Sequence, residues 1–143
     1  MNRNDRGGFT LIEMLIVVTV VAIILGIAVP NFQQQVTRAD AARIVADVRT
    51  IDMAISEYVA ENSGLPRGGG RGVVPTSLQP YLETMPFEYK DATYRVITAT
   101  NSGTVRVRVE YPRRSLVGNA LQSYSDGSDV VWTSRRTDFY VIQ

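Results

Sequence analysis

From Phe9 to Val29 the chain runs through positions among which only Thr10, Glu13 and Thr19 carry polar side chains. At about 1.5 Å per residue, this stretch makes a helix about 31 Å long, close to the hydrocarbon thickness of a bilayer. Past Pro30 the pattern changes. Ile44, Val48, Ile51, Ile55 and Tyr58 recur at helical spacing along a single stripe, with polar residues between them. Asn62-Ser63-Gly64 followed by Leu65-Pro66 reads as a helix stop. The pattern therefore predicts one helix over residues 10–62, apolar all round in its first half and amphipathic in its second. Pro30 lies inside it and withholds the N–H that the Gly26 carbonyl would accept, while Gly26 is itself a poor helix former. The two mark a point where the helix can bend, either as a tolerated kink or as a hinge. Arg43 with Asp47, and Asp40 with Arg43, are spaced to pair on the exposed side.

The remaining chain changes period. Residues 64–76, GLPRGGGRGVVPT, form a glycine-rich connector that reads as a flexible loop. It lacks the Gly-Lys-Ser/Thr ending of a phosphate-binding loop. Thr76-Ser77-Leu78 is expected to cap a short helical turn reaching Leu82. Val105, Val107, Val109 and Tyr111 alternate with Arg106, Arg108 and Glu110, predicting a half-buried strand. Thr93–Ala99 is its expected hairpin partner through the turn Thr100-Asn101-Ser102-Gly103. Leu116, Val117, Ala120, Leu121 and Tyr124 have helical spacing, interrupted by Gly118. Val130–Thr133 and Asp138–Ile142 complete a set of strands around Ser134-Arg135-Arg136. The fold class is α+β: a long N-terminal helix packed by its second half against a small antiparallel sheet.

Composition narrows the chemistry. The 143 residues include no cysteine and no histidine, and Lys90 is the only lysine. Disulfides, thiol catalysis and the commonest general base and metal ligand are thereby removed. A formal charge of +1 does not by itself argue for a polyanionic partner. The apolar run is too long for the core of a cleaved secretory signal, contains an acid, and meets Pro30 where a small-residue cleavage site belongs. Arg3 and Arg6 precede it and the next charge after Glu13 is Arg38, which predicts a cytoplasmic N-terminus. Glu13 is the anomaly. A carboxylate at bilayer depth costs roughly 2.5–3.5 kcal/mol near a helix centre, so something must offset it.

Gly8, Phe9, Thr10, Leu11, Ile12 and Glu13, followed by the apolar run and Pro30, resemble the start of a type IV pilin-type protein. That superfamily includes type IV pilins and the pseudopilins of type II secretion and competence. The resemblance covers about the first 55 residues. It implies cleavage between Gly8 and Phe9 by a prepilin peptidase on the cytoplasmic side, with methylation of the new Phe9 amine. It implies three segments: a leader over 1–8, a membrane and filament-core helix half over 9–30, and a soluble pilin-like head over 31–143. Partners implied are the peptidase, other pilin-like subunits in a helical filament, and an inner-membrane assembly platform with its ATPase. The subunit would sit in the inner membrane with its head outside the cytoplasm, then enter a periplasmic or surface filament. Residues carried over are Gly8 and Phe9 for processing, and Phe9, Glu13, Gly26 and Pro30 for assembly. In a filament, Glu13 would meet the Phe9 amine of a neighbouring subunit, setting register as well as attraction. The sequence departs from the family in having Ala22 where a mid-span glycine is usual, Phe32 for a frequent tyrosine, and no C-terminal disulfide.

Neither an enzyme nor a cofactor or small-molecule substrate is implied. A single-span anchored enzyme would need a catalytic set, and no pair stands at motif spacing. Ser125–Asp129 has two carboxylates but too few spaced oxygens for calcium, and reads as a turn. The other alternative is a competence-type subunit whose head binds DNA. Arg106, Arg108, Arg113 and Arg114, joined by Arg135 and Arg136, would form the patch, with Tyr124 and Trp132 for stacking.

Overall fold

In the computed structural model, residues 9–82, 85–112, 115–124, 129–133 and 135–142 are described. Two units divide the chain, residues 1–36 and 37–143, with the boundary inside the first helix.

That helix, α1, runs over Leu11–Asn62 with Pro30 inside it, one residue short of the predicted start. In the first unit its apolar side chains are solvent-facing, among them Leu15, Ile16, Ile23 and Ile27. In the second unit, burial begins at Asp40 and Ala41 and continues through Ile44, Val48, Ile51, Ala54 and Ile55, the stripe anticipated from spacing. These residues share one hydrophobic cluster with Tyr94, Val96, Val105, Val107, Val109 and Phe139 from the sheet. The second half of α1 and the inner sheet face thus make a two-layer α+β core.

The sheet has five strands: β1 (Glu88–Tyr89), β2 (Ala92–Ala99), β3 (Thr104–Glu110), β4 (Val130–Thr133) and β5 (Arg136–Ile142). They lie in the order β1-β2-β3-β5-β4, each pair antiparallel. The β2–β3 hairpin turns where predicted, with Gly103 at φ +69°, a conformation glycine adopts without steric cost. The two-residue β1 was not anticipated. It is too short to carry a period, and its turn places Lys90, not a glycine, at φ +54°. β5 begins at Arg136 rather than Asp138, because Arg136 pairs with both Glu110 and Thr133.

The connector corrects the expectation of a flexible loop. Gly69 N–H donates to Val96 O (3.0 Å) and Gly72 N–H to Tyr94 O (2.9 Å). Thr98 Oγ1 donates to Pro66 O at 2.6 Å. The segment therefore lines the edge of β2 beyond the reach of β1 and covers backbone groups that would invite a foreign strand. Gly68 permits the approach, since a Cβ there would stand 3.2 Å from Val96 O. Thr76–Tyr81 is a 3-10 helix entered from Pro75 with no side-chain cap bond, so the predicted Thr76/Ser77 cap does not form.

Leu116–Leu121 is a short helix, α2, continued by a 3-10 turn over Gln122–Tyr124. Ser115 caps it, accepting from Gly118 N–H at 3.3 Å. Gly118 weakens the helical pattern for a packing reason. A Cβ there would lie 2.4 Å from the Tyr111 ring.

Candidate functional site

Two regions carry the residues singled out from sequence. The first is the start of α1. Thr10 N–H and Thr10 Oγ1–H each donate to Glu13 Oε2 at 2.8 Å, and Glu13 N–H donates back to Thr10 Oγ1 at 3.3 Å. This is a capping box, Thr-x-x-Glu, satisfying two N–H groups that no helical carbonyl can reach. Both bonds to the carboxylate fall on Oε2. Thr19 Oγ1 donates to Leu15 O at 2.7 Å, so the polar side chains of this apolar run hold hydrogen bonds without water. The local physics lowers the cost of Glu13 but leaves its charge.

Around these groups the apolar surface is open. Phe9 is 80% and Leu11 86% exposed. The most apolar window of α1 has a mean hydropathy of 2.9, and none of it is buried. It is the one helix among the described residues long and apolar enough to cross a membrane. Gly26 has no neighbour within 4 Å of the place a Cβ would take. Nothing among the described residues requires glycine there. Asn31 Nδ2 donates to Ile27 O at 3.0 Å, beside the Gly26 carbonyl left without its Pro30 donor. Gly8 lies outside the described residues.

The second region is the outer sheet face. Register places Arg95, Arg108, Asp138 and Val131 in one cross-strand row, and Ile97, Arg106 and Tyr140 in the next. Arg108 grips Asp138 with two bonds, Nε to Oδ1 at 2.6 Å and Nη2 to Oδ2 at 3.0 Å. The pair is 14% and 6% exposed, and the carboxylate bonds push the Arg108 guanidinium pKa further up. Arg106 and Arg136 each stand 4.0 Å from the same carboxylate. Arg106 also lies over the Tyr140 ring, 5.9 Å from its centre. Arg113, Arg114 and residues 125–128 lie outside the described residues. Trp132 donates its Nε1–H to Gly118 O at 2.7 Å and so serves α2.

Sequence reading missed three partners. Thr10 was visible in principle, because Thr followed three residues later by Glu before an apolar run is a capping signature. Asp138 was invisible as the arginines' partner until β3–β5 register was known. Asp40, expected to meet Arg43, instead accepts from Tyr89 Oη at 2.9 Å and from Lys90 Nζ at 2.5 Å. Arg43 pairs with Asp47 at 3.0 Å as expected, and Asp47 also accepts from Tyr94 Oη at 2.9 Å.

Residues 3–29 match the family described as the prokaryotic N-terminal methylation motif. The type II secretion system core protein G of Klebsiella michiganensis is 32% identical over 66 residues, 46% of each chain. That of Aeromonas hydrophila is 27% identical over 94 residues, 66% of this chain and 65% of that one. A fimbrial protein of Pseudomonas aeruginosa is 25% identical over 135 residues, 91% of this chain and 85% of that one. The match thus spans under two thirds of the first two relatives' length. No solved structure matches. A methylation motif opening an exposed apolar helix, with a small antiparallel sheet on the helix's second half, defines a pilin-like α+β protein. The N-terminal segment carries the methylation motif, and over longer stretches the chain is similar to type II secretion core proteins and to a fimbrial protein.

Proposed function

We propose that this chain is a structural, non-enzymatic subunit of a pilus-like or secretion-pseudopilus filament. A prepilin peptidase removes residues 1–8 by cutting after Gly8 and methylates the Phe9 amine. Residues 9–30 hold the subunit in the inner membrane, N-terminus cytoplasmic, and residues 31–143 form its head outside the cytoplasm. An assembly platform and its ATPase then move the subunit into the filament.

The observation that carries this reading is the first half of α1, apolar nearly all round and with its most apolar window unburied among the described residues. In the membrane lipid covers it; in a filament the same surface is covered by neighbouring helices. Gly26, with open space where a Cβ would stand, suits close approach of another helix. At Glu13, the neighbour's Phe9 amine approaches Oε1 while Thr10 occupies Oε2, and a charge pair forms in a dry core.

Intact-mass measurement on assembled material tests this. The chain should begin at Phe9 and carry one added methyl, and Gly8→Val should block the cut. Filaments that retain residues 1–8 defeat the reading.

A further inference from the structure

We propose that the outer face of the sheet is a docking surface for the acidic end of α1 of a second copy of this chain. The proposal rests on the filament reading and names a contact between heads within it.

The face is basic beyond its own needs. Arg95, Arg106, Arg108 and Arg136 occupy it by register. Arg71 joins them, bonding Thr93 Oγ1 at 2.8 Å and Glu110 at 3.2 Å, and lines a groove of about 290 Å³ with Arg135 and Arg136. Against these six arginines stand Glu88, Glu110 and Asp138, an excess of three positive charges in a chain whose total is +1. Arg95 and Arg135 are exposed. The buried Nε of Arg106 has no acceptor among the described residues.

The complementary charge lies on the same chain. From Thr50 to Asn62, α1 contains Asp52, Glu57 and Glu61 and no basic residue. Glu57 and Glu61 are one turn apart, so they repel, and Glu61 sits in the last turn, where the helix dipole disfavours anions. Tyr81 Oη donates to Glu61, which leaves the charge in place. Met53, 64% exposed, precedes Glu57 by one turn and completes a stripe with an apolar foot. On the sheet, Val131 is 46% exposed and can receive it.

Inside one copy the two patches cannot meet: α1 lies on the inner sheet face, where its buried stripe packs against Val96 and Val107. The patches are different surfaces, so joining them between copies is a heterologous contact. Such contacts, repeated without closing, generate open helical filaments. A long polyanion such as DNA would meet the same face, but a second copy brings complementary acids of its own at Asp52, Glu57 and Glu61.

The test uses the full chain expressed with its assembly machinery. Arg95→Glu and Glu57→Arg should each reduce assembled subunit roughly tenfold, because like charges brought face to face oppose association. The double variant should recover most of it. Melting of the chain in detergent should be unchanged, excluding misfolding. Because the chain lacks cysteine, a Glu57→Cys, Arg95→Cys double variant should cross-link in filaments to a ladder beyond dimer, and neither single variant should. Wild-type filaments with no ladder, and with Arg95→Glu assembling normally, overturn the docking alone. No wild-type filaments at all overturns the filament reading with it. Retardation of duplex DNA lost in Arg95→Glu, without a ladder, gives the face to nucleic acid and also overturns the proposal.

Discussion

Thr10 and Glu13 are bound to each other in both directions, the threonine donating twice to one carboxylate oxygen and accepting once from the glutamate N–H. Two roles for Glu13 therefore coexist, a helix cap and an unneutralised charge. Substitution separates them. Glutamine serves a capping box as well as glutamate does, so Glu13→Gln keeps the cap and removes the charge. Thr10→Ala keeps the charge and weakens the cap, at about 1 kcal/mol. Filament yield should collapse in Glu13→Gln and largely survive in Thr10→Ala. The reverse order would make Glu13 a cap and nothing more.

Gly118 is occupied from outside by Tyr111, whose hydroxyl meets Thr133 O and Thr137 Oγ1, both at 2.9 Å. The ring is therefore anchored at its far end and cannot swing away. Gly118→Ala should destabilise the head by about 1–3 kcal/mol through overpacking, although alanine is the better helix former. Thermal melting of the full chain in detergent measures this. A stabilised Gly118→Ala would mean that the Tyr111 ring moves freely.

Much of the fold follows from periodicity alone. The stripe from Ile44 to Tyr58 and the alternation from Val105 to Tyr111 locate the core, because burial acts on side chains at fixed repeats. What periodicity does not carry is pairing between distant segments. The glycine-rich connector is polar and aperiodic, yet it is ordered along β2 by backbone bonds that involve no side-chain pattern. The arginines of β3 look like a solvated or anion-binding face until β5 sets Asp138 beside Arg108. At the helix start the capping pattern Thr10-x-x-Glu13 is legible in the residues themselves, because its bonds are local.

The Arg108–Asp138 pair should prove costly to break. Asp138→Ala leaves a mostly buried guanidinium without its anion. A fully buried pair costs about 3–5 kcal/mol to break this way, and the partial exposure of Arg108 reduces this to about 2–3 kcal/mol. For a head of this size, that is a fall of about 10–20 °C in melting midpoint. Arg108→Lys should restore little, because an ammonium cannot span both carboxylate oxygens. An Asp138→Ala head as stable as wild type would show that the pair contributes only specificity.

The contact of Asp40 with Lys90 and Tyr89 gives the head a defined response to acid. The Lys90 bond holds the Asp40 carboxyl below its usual range, the Tyr89 hydroxyl adding to it against the opposing effect of burial. A depressed carboxyl pKa stabilises the fold above the unfolded value, about 3.9, and that stabilisation is lost as pH falls through the folded value. The Lys90 ammonium is shifted upward, chiefly by the same bond. Its contribution is complete below about 10.4 and disappears as pH rises through the folded value. Between about pH 5 and 9 the pair should therefore act at constant strength. Asp40→Asn should lower the melting midpoint by a constant few degrees across that window. The difference from wild type should shrink below about pH 4, where wild-type Asp40 itself takes up a proton. Because Lys90 holds a left-handed backbone at φ +54°, Lys90→Gly removes strain as it removes the charge, and should cost less than Lys90→Ala. Melting curves of the three variants against pH decide it: an Asp40→Asn deficit that persists undiminished at pH 3 would mean that the charge of Asp40 contributes nothing and only its hydrogen-bonding shape matters.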